Sequence, residues 1–173
     1  ELHRRLRAIR MWGDDAEEWG GNYKLTKIQA AVGLVQLGRL DEMNALRYER
    51  ARQRTEMLQD VPELTLPSEP PGYKHTYYLY TCLVPREWAG EKRDRVMQIL
   101  QERYGVGSLV LNRPTYLSRP FVRRNTLGQS LPISEELGER LFCPSLHPLM
   151  SKQDNEYIAA AIDAAVEATR NGE

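Results

Sequence analysis

The fold class follows from residues 20–37, which read Gly20-Gly21-Asn22-Tyr23-Lys24-Leu25-Thr26-Lys27-Ile28-Gln29-Ala30-Ala31-Val32-Gly33-Leu34-Val35-Gln36-Leu37. Two glycines lead to Thr26, a residue type that caps helix N-termini because its hydroxyl accepts a backbone N–H. Apolar residues then recur at helical spacing, and the pattern continues to about residue 60. It predicts a loop over residues 12–25 and one long helix over about 26–60.

The start of this predicted helix is also a candidate anion-binding site. Free N–H groups and the helix dipole favour a phosphate there, and Asn22 and Lys24 lie just before the cap. From these residues alone, an ordinary polar capping loop is the commoner interpretation, so both stay open.

The rest of the chain alternates helical and extended patterns. Leu2, Leu6 and Ile9 predict a helix at the very beginning, and since it starts without an initiator Met, we expect a piece of a longer protein. The later elements are a strand (75–84), a helix (91–104), a short strand (108–111), a loop (112–133), a short helix (134–140), an extended piece (141–144) and a final helix capped by Ser151.

Strands separated by helices predict an α+β (α/β layered) fold. We therefore expect a helical segment over residues 1–60. A small C-terminal α/β domain is expected over residues 61–173.

Composition excludes several classes of protein. The chain has 24 Lys+Arg and 24 Asp+Glu, so it lacks the cationic excess of a nucleic-acid binder. Two basic clusters, residues 3–7 and 119–124, are best interpreted as solvated faces. No apolar run is long enough to span a membrane, and no signal-peptide pattern opens the chain. We expect a cytoplasmic protein.

Cysteines and histidines give no support to a metal site. Cys82 and Cys143 are far apart and show no zinc-finger spacing, which is typical of packed thiols in a reducing compartment. His3, His75 and His147 are equally scattered. The residues alone therefore indicate no catalytic set.

The segment over residues 20–37 changes this interpretation. It resembles the G-x-N-[YF]-R-[ML]-[ST]-x-x-Q-A-A-x-G-x-x-Q-L segment of the DegT/DnrJ/StrS family of pyridoxal-phosphate (PLP) sugar aminotransferases. Residues 39–41, 75–84, 131–135 and 141–148 resemble later family segments in the family's order. The resemblance covers nearly the whole chain.

The resemblance implies the C-terminal portion of a fold type I PLP-dependent transferase, a homodimer with active sites between subunits. In that family the Schiff-base lysine lies upstream of the segment present here. The chain's lysines (Lys24, Lys27, Lys74, Lys92 and Lys152) do not stand in that lysine's context. We therefore expect no catalytic residue in this chain, and no PLP bound by the chain alone.

The resemblance also assigns site residues. Asn22 corresponds to the asparagine that holds the PLP phosphate of the neighbouring subunit. Lys24 replaces the usual arginine, which keeps the charge but loses the planar fork, so substrate recognition is expected to differ. Asn112, Arg113 and Tyr116 stand where the family's loop faces the substrate, although the family's His-Tyr-Pro pattern is absent.

Two functional hypotheses follow. The chain is part of an aminotransferase that moves an amino group from glutamate or glutamine to a keto sugar, either a nucleotide sugar or a cyclitol. Alternatively, it is a non-catalytic dimerisation or ligand-binding module derived from the same fold.

Overall fold

The computed structural model describes residues 1–13, 19–111, 113–126 and 128–173. The chain divides into two compact units, Glu1–Glu42 and Met43–Glu173. Part of the loop predicted over residues 12–25, and the predicted substrate residue Asn112, lie outside the described residues.

Helices make up most of the first unit. It contains α1 (Leu2–Arg10), α2 (Lys27–Gly38) and the first residues of α3 (Leu40–Leu58). The predicted cap at Thr26 is confirmed. Its hydroxyl accepts the N–H of Gln29 at 3.2 Å, and the Gln29 side chain accepts the N–H of Thr26 at 3.0 Å. This reciprocal capping box fixes where the helix begins.

The prediction of a single helix over residues 26–60 is wrong in one respect, because the periodic stretch forms two helices. The N–H of Arg39 donates to the carbonyls of Gln36 and Leu37, which closes α2 with a tight turn. Gly38, just before the break, is a weak helix former, and this lowers the cost of interrupting the helix.

The second unit contains a three-stranded sheet. Its strands are β1 (Cys82–Leu83), β2 (Ser108–Leu109) and β3 (Leu141–Pro144), in the order β1-β3-β2 with both outer strands antiparallel to β3. The register pairs Cys82 with Phe142 and Leu109 with Cys143. A small sheet combined with helices confirms the predicted fold class.

Two amphipathic helices supply much of the core. The predicted helix over 91–104 is confirmed as α4 (Glu91–Tyr104), and it packs against the last helix, α8 (Lys152–Arg170). The predicted cap at Ser151 is confirmed too, with its hydroxyl accepting the N–H of Asp154. The fully buried apolar side chains at the centre of this core include Val84, Val96, Leu100, Phe142, Ile162 and Val166.

A buried polar network joins α3 to α8. Arg54 is fully buried and donates from Nε to the Asn155 side-chain oxygen at 3.0 Å, and Asn155 donates to the Arg50 carbonyl at 2.9 Å. Arg54 also donates to the carbonyl of Ser145 at 2.9 Å and lies over the ring of Tyr80. Burial lowers the pKa of Arg54 to about 10, so the guanidinium stays charged at neutral pH.

The strand predicted over residues 75–84 is wrong over most of its length, since only Cys82–Leu83 pairs with β3. Tyr77 has a φ of +46°, a left-handed conformation that interrupts an extended chain. Its N–H donates to the ring of His75 at 2.8 Å, and its side chain is buried against Tyr48 and Tyr80. Aromatic packing therefore overrides the strand propensity of this segment.

The predicted loop over residues 112–133 is also wrong in part. It contains two short helices, α5 (Thr115–Ser118) and α6 (Pro120–Asn125), and the next helix, α7, runs from Pro132 to Arg140. Pro120 and Pro132 each occupy the start of a helix, where the missing N–H costs nothing and the fixed φ suits helical geometry.

Among the described residues, none of the helices combines the length and the apolar composition that crossing a bilayer requires.

Candidate functional site

The loop that carries Asn22 is fixed through its backbone to the end of α1. The N–H of Gly21 donates to the Ile9 carbonyl at 2.9 Å, and Asn22 forms a bridge with Met11. Gly20 is required here, because a Cβ at this position would lie 2.1 Å from the backbone nitrogen of Gly13. Close backbone packing therefore holds Asn22 in place.

The side chains of Asn22 and Lys24 are exposed and hydrogen-bond to none of the described residues. Both precede the cap of α2 at Thr26 by only a few residues. An amide donor and a cation close to a helix N-terminus suit the phosphate end of an anionic cofactor. The loop is therefore a candidate site for an anionic group such as a phosphate.

Arg113 and Tyr116 lie in the second unit, on the segment before α7. Arg113 is exposed, whereas the Tyr116 side chain is only 7% exposed. The Tyr116 hydroxyl donates to the Glu135 carboxylate and accepts the N–H of Leu131 at 3.1 Å. The hydroxyl predicted to face a substrate is therefore already bonded within the chain.

Glu135 is the residue that sequence reasoning missed at this site. Its carboxylate also accepts the N–H of Leu131 at 3.0 Å and the Ser130 hydroxyl at 3.3 Å. The hydrogen bond from Tyr116, followed by that from Leu131, lowers the pKa of Glu135. Burial, followed by the bond to Glu135, raises the pKa of Tyr116. The two groups thus keep their usual protonation states at neutral pH.

A groove of about 610 Å³ lies between residues 113–118 and α7. On the α7 side, Glu136 accepts hydrogen bonds from Arg86 at 2.8 Å and from Arg140 at 2.6 Å. The residues that line the groove are Ala89, Arg113, Pro114, Leu117, Ser118, Pro132, Glu135, Glu136 and Glu139. Of the predicted substrate residues, Arg113 contributes directly to this groove, and Tyr116 bonds to one of its walls.

A second cavity, of about 380 Å³, lies beside the sheet. One wall is fixed by Ser145, whose hydroxyl donates to the Gly107 carbonyl at 3.1 Å. Cys143 lines it, and both Cys143 and Cys82 are buried free thiols. Burial raises the pKa of the Cys82 thiol to about 12, so this thiol is unreactive and serves the packing.

Comparison with solved structures places this architecture among aminotransferases. The aminotransferase TlmJ from Streptoalloteichus hindustanus is 27% identical, with a TM-score of 0.82 over 98% of this chain and 46% of TlmJ. Helicobacter pylori PseC, an aminotransferase involved in the biosynthesis of pseudoaminic acid, is 22% identical, with a TM-score of 0.84 over 96% of this chain and 46% of PseC. The PMP form of Spr1654 from Streptococcus pneumoniae, a protein named as a sugar aminotransferase, is 21% identical, with a TM-score of 0.75 over 84% of this chain and 36% of Spr1654.

This chain spans less than half the length of these structural relatives. The family model for DegT/DnrJ/EryC1/StrS aminotransferases matches residues 1–163, which is nearly the whole chain. The chain therefore belongs to the DegT/DnrJ/EryC1/StrS aminotransferase family.

Proposed function

We propose that this chain works as the C-terminal portion of a PLP-dependent aminotransferase, a cytoplasmic homodimer. The enzyme transfers an amino group from glutamate or glutamine to a keto sugar, either a nucleotide sugar or a cyclitol. Family membership over residues 1–163 carries the proposal. The fixed loop with the free Asn22 amide supports it from the geometry.

In this proposal, the chain's own residues bind the cofactor and the substrate and orient them for the reaction. PLP, when bound, supplies an electron sink for the exchange of the amino group. Asn22 donates its amide to the cofactor phosphate of the neighbouring subunit, next to the N-terminus of α2. Lys24 offers a single positive charge to an anionic group of the substrate, without the bidentate geometry of arginine. Arg113 contributes to substrate binding from the groove beside α7.

The Schiff-base lysine is expected to lie upstream of this segment, so the 173-residue chain should form no specific covalent adduct with PLP. The chain is mixed with PLP, reduced with borohydride and desalted, and an unreduced sample serves as control. Mass spectrometry should then find no stoichiometric addition of PLP. A complete, reducible adduct at one lysine would refute this part of the proposal.

The apolar surface of α2 supports a role in dimerisation. Ile28, Val32 and Val35 follow helical spacing, and their side chains are 79%, 60% and 63% exposed. Contiguous exposed apolar surface of this kind usually marks a contact with another chain or domain. We therefore expect the chain to self-associate at micromolar concentration.

Sedimentation velocity checks this expectation. Val32→Lys should shift the distribution toward monomer, because a charge at the contact cannot be desolvated cheaply. Gln101→Lys is the control, because Gln101 is also exposed and polar but lies on α4, outside the α2 surface. A wild-type chain that sediments as a compact monomer would count against a contact through α2.

The alternative, a non-catalytic module, is favoured by one observation. The unit Met43–Glu173 has a closed hydrophobic core of its own, built from β1, β3, α4 and α8. The coding sequence upstream of Glu1 separates the two proposals. A continuous reading frame that encodes the cofactor-binding portion supports the enzyme, and a start codon next to Glu1 supports the module.

A further inference from the structure

The segment that leads into β1 is held in an unusual conformation. Tyr77 has a φ of +46°, although a left-handed backbone is unfavourable for a residue with a Cβ. Its side chain is nevertheless buried, with 6% of its surface exposed. Such a conformation persists only where the surrounding contacts compensate for its cost. The contacts of Tyr77 therefore decide the position of residues 75–80.

One of these contacts depends on the protonation state of His75. The N–H of Tyr77 donates to Nδ1 of the His75 imidazole at 2.8 Å. A neutral imidazole has one nitrogen that accepts and one that donates, so Nδ1 accepts here and Nε2 carries the proton. In an imidazolium both nitrogens are donors. Protonation of His75 would therefore place two donors opposite each other and remove this hydrogen bond.

The other contacts of Tyr77 are aromatic and connect the segment to α3. The centroid of its ring lies 5.7 Å from that of Tyr48 in α3, in an edge-on arrangement, and 6.5 Å from that of Tyr80, on which it stacks. The His75 ring lies 4.2 Å from the Tyr77 ring. The Tyr80 hydroxyl shares a hydrogen bond of 2.8 Å with the hydroxyl of Thr55 in α3. A change at His75 thus reaches α3 through rings in direct contact.

His75 is the group in this cluster whose charge changes near neutral pH, as is usual for histidine. The titratable groups that contact His75, Tyr77 or their aromatic neighbours within the described part of the chain are Glu69, Tyr48, Tyr80 and Arg54. Burial raises the pKa of Tyr77 and that of Tyr80, so both phenols stay neutral. Glu69 accepts the backbone N–H of His75 at 2.6 Å, so a carboxylate lies beside the imidazole and favours its protonated form.

The same segment forms part of the wall of the 380 Å³ cavity beside the sheet, through residues 78–80. Tyr78 is 75% exposed and follows Tyr77 directly in the chain. His147, the other histidine of the unit Met43–Glu173, lines this cavity as well. Because Tyr77 comes immediately before the wall residues, loss of its contacts would change the shape of the cavity.

We propose that His75 is a pH-sensitive switch that controls the wall of this cavity. The neutral imidazole holds Tyr77 in the aromatic cluster, and protonation of His75 releases Tyr77 together with residues 78–80. Since only the neutral form accepts the Tyr77 N–H, the contact is present at high pH. It is lost as the pH falls through the range in which histidine takes up a proton, about pH 8 to 5. This inference does not depend on the proposed aminotransferase function.

Nitrogen-15 NMR of the 173-residue chain between about pH 8 and pH 5.5 tests the proposal. At the upper limit, the imidazole shifts of His75 should identify a neutral ring with its proton on Nε2. Towards the lower limit, the hydrogen-exchange protection of the Tyr77 amide, corrected for the intrinsic pH dependence of exchange, should fall by at least about fivefold, because its hydrogen bond is lost. The amides of Val96 and Ile162, in the core helices, should keep their protection.

Two variants show which histidine is responsible. His75→Gln cannot become charged, so the protection of the Tyr77 amide should change by less than about twofold over the same pH range. His147→Gln is the matched control, because it removes the other histidine of the unit and should leave the wild-type response intact. Circular dichroism checks that both variants are folded.

Several results would overturn the proposal. At the upper pH limit, these are a His75 ring with its proton on Nδ1 or a Tyr77 amide without protection. Across the pH range, they are constant protection of this amide, a response that persists in His75→Gln, or one that disappears in His147→Gln. A parallel loss of protection at Val96 and Ile162 would also contradict it, because the whole unit would then unfold and no local switch would exist.

Discussion

Replacing Asn155 with alanine should lower the free energy of unfolding by about 3 kcal/mol, because it removes a buried side chain that bonds to both Arg54 and Arg50. The Asn155 side chain accepts from Arg54 and donates to the Arg50 carbonyl, and Asn155 and Arg54 are fully buried. Alanine leaves one N–H of the Arg54 guanidinium without a partner, while the Arg50 carbonyl keeps its place in the hydrogen-bond ladder of α3. Each unsatisfied buried group costs about 1–3 kcal/mol, and the guanidinium is charged, which raises its cost.

Urea denaturation followed by circular dichroism measures this effect. Asn171→Ala is the matched control, since Asn171 lies at the exposed end of the same helix and should change stability by less than about 0.5 kcal/mol. A loss below about 1 kcal/mol for Asn155→Ala would show that water replaces the lost partners, and the network would not be what joins α3 to α8.

Asn22→Ala should weaken cofactor retention in the complete enzyme by about ten- to a hundredfold. The amide is proposed to donate to a phosphate, and a hydrogen bond to a charged group contributes roughly 1.5–3 kcal/mol. Each 1.4 kcal/mol corresponds to about a factor of ten in the dissociation constant. The exposed side chain makes no hydrogen bond to described residues, so its removal should leave folding intact.

Equilibrium dialysis of PLP against the variant and the wild type provides the measurement. Asn171→Ala again serves as control, because it removes an exposed amide far along the chain from the Asn22 loop. Unchanged retention of PLP by Asn22→Ala would remove this residue from the cofactor site.

Features set by neighbouring residues could be predicted from the sequence. Thr26 and Ser151 were predicted as helix caps, and both form capping boxes. These hydrogen bonds join residues three positions apart, so the local sequence is enough to predict them. The helix over 91–104 was predicted for a similar reason, since its periodicity and the following Gly105 are local signals.

Features that depend on distant partners could not be predicted. The aromatic and β-branched run over residues 75–84 suggested a strand, but the packing of Tyr77 against Tyr48 and Tyr80 decides its conformation. At the site, the hydrogen bond from the Tyr116 hydroxyl to Glu135 joins residues nineteen positions apart, and Tyr116 stays a predicted substrate contact. No local sequence pattern predicts a hydrogen bond between residues that are so far apart in the chain.

The candidate site shows the same division. Asn22 could be proposed because it belongs to a fixed sequence pattern, and the structure adds that its loop is bonded to the end of α1. That the side chains of Arg119, Arg123 and Arg124 bond to none of the described residues became visible only in the structure. Charge counts alone could not distinguish an engaged arginine from a free one.

Complementation between two defective subunits, at a PLP concentration that saturates the wild type but not Asn22→Ala, tests the central claim most directly. One subunit of the complete enzyme carries Asn22→Ala, and the other lacks the Schiff-base lysine. If Asn22 serves the neighbouring subunit's site, one of the two sites in a heterodimer has both groups and the other has neither. The mixture should then recover part of the wild-type rate in the half-reaction with glutamate or glutamine. If Asn22 serves its own subunit, each site of the heterodimer carries one defect and the activity does not recover. Absence of recovery in a sample that is shown to contain heterodimers would therefore contradict the cross-subunit role.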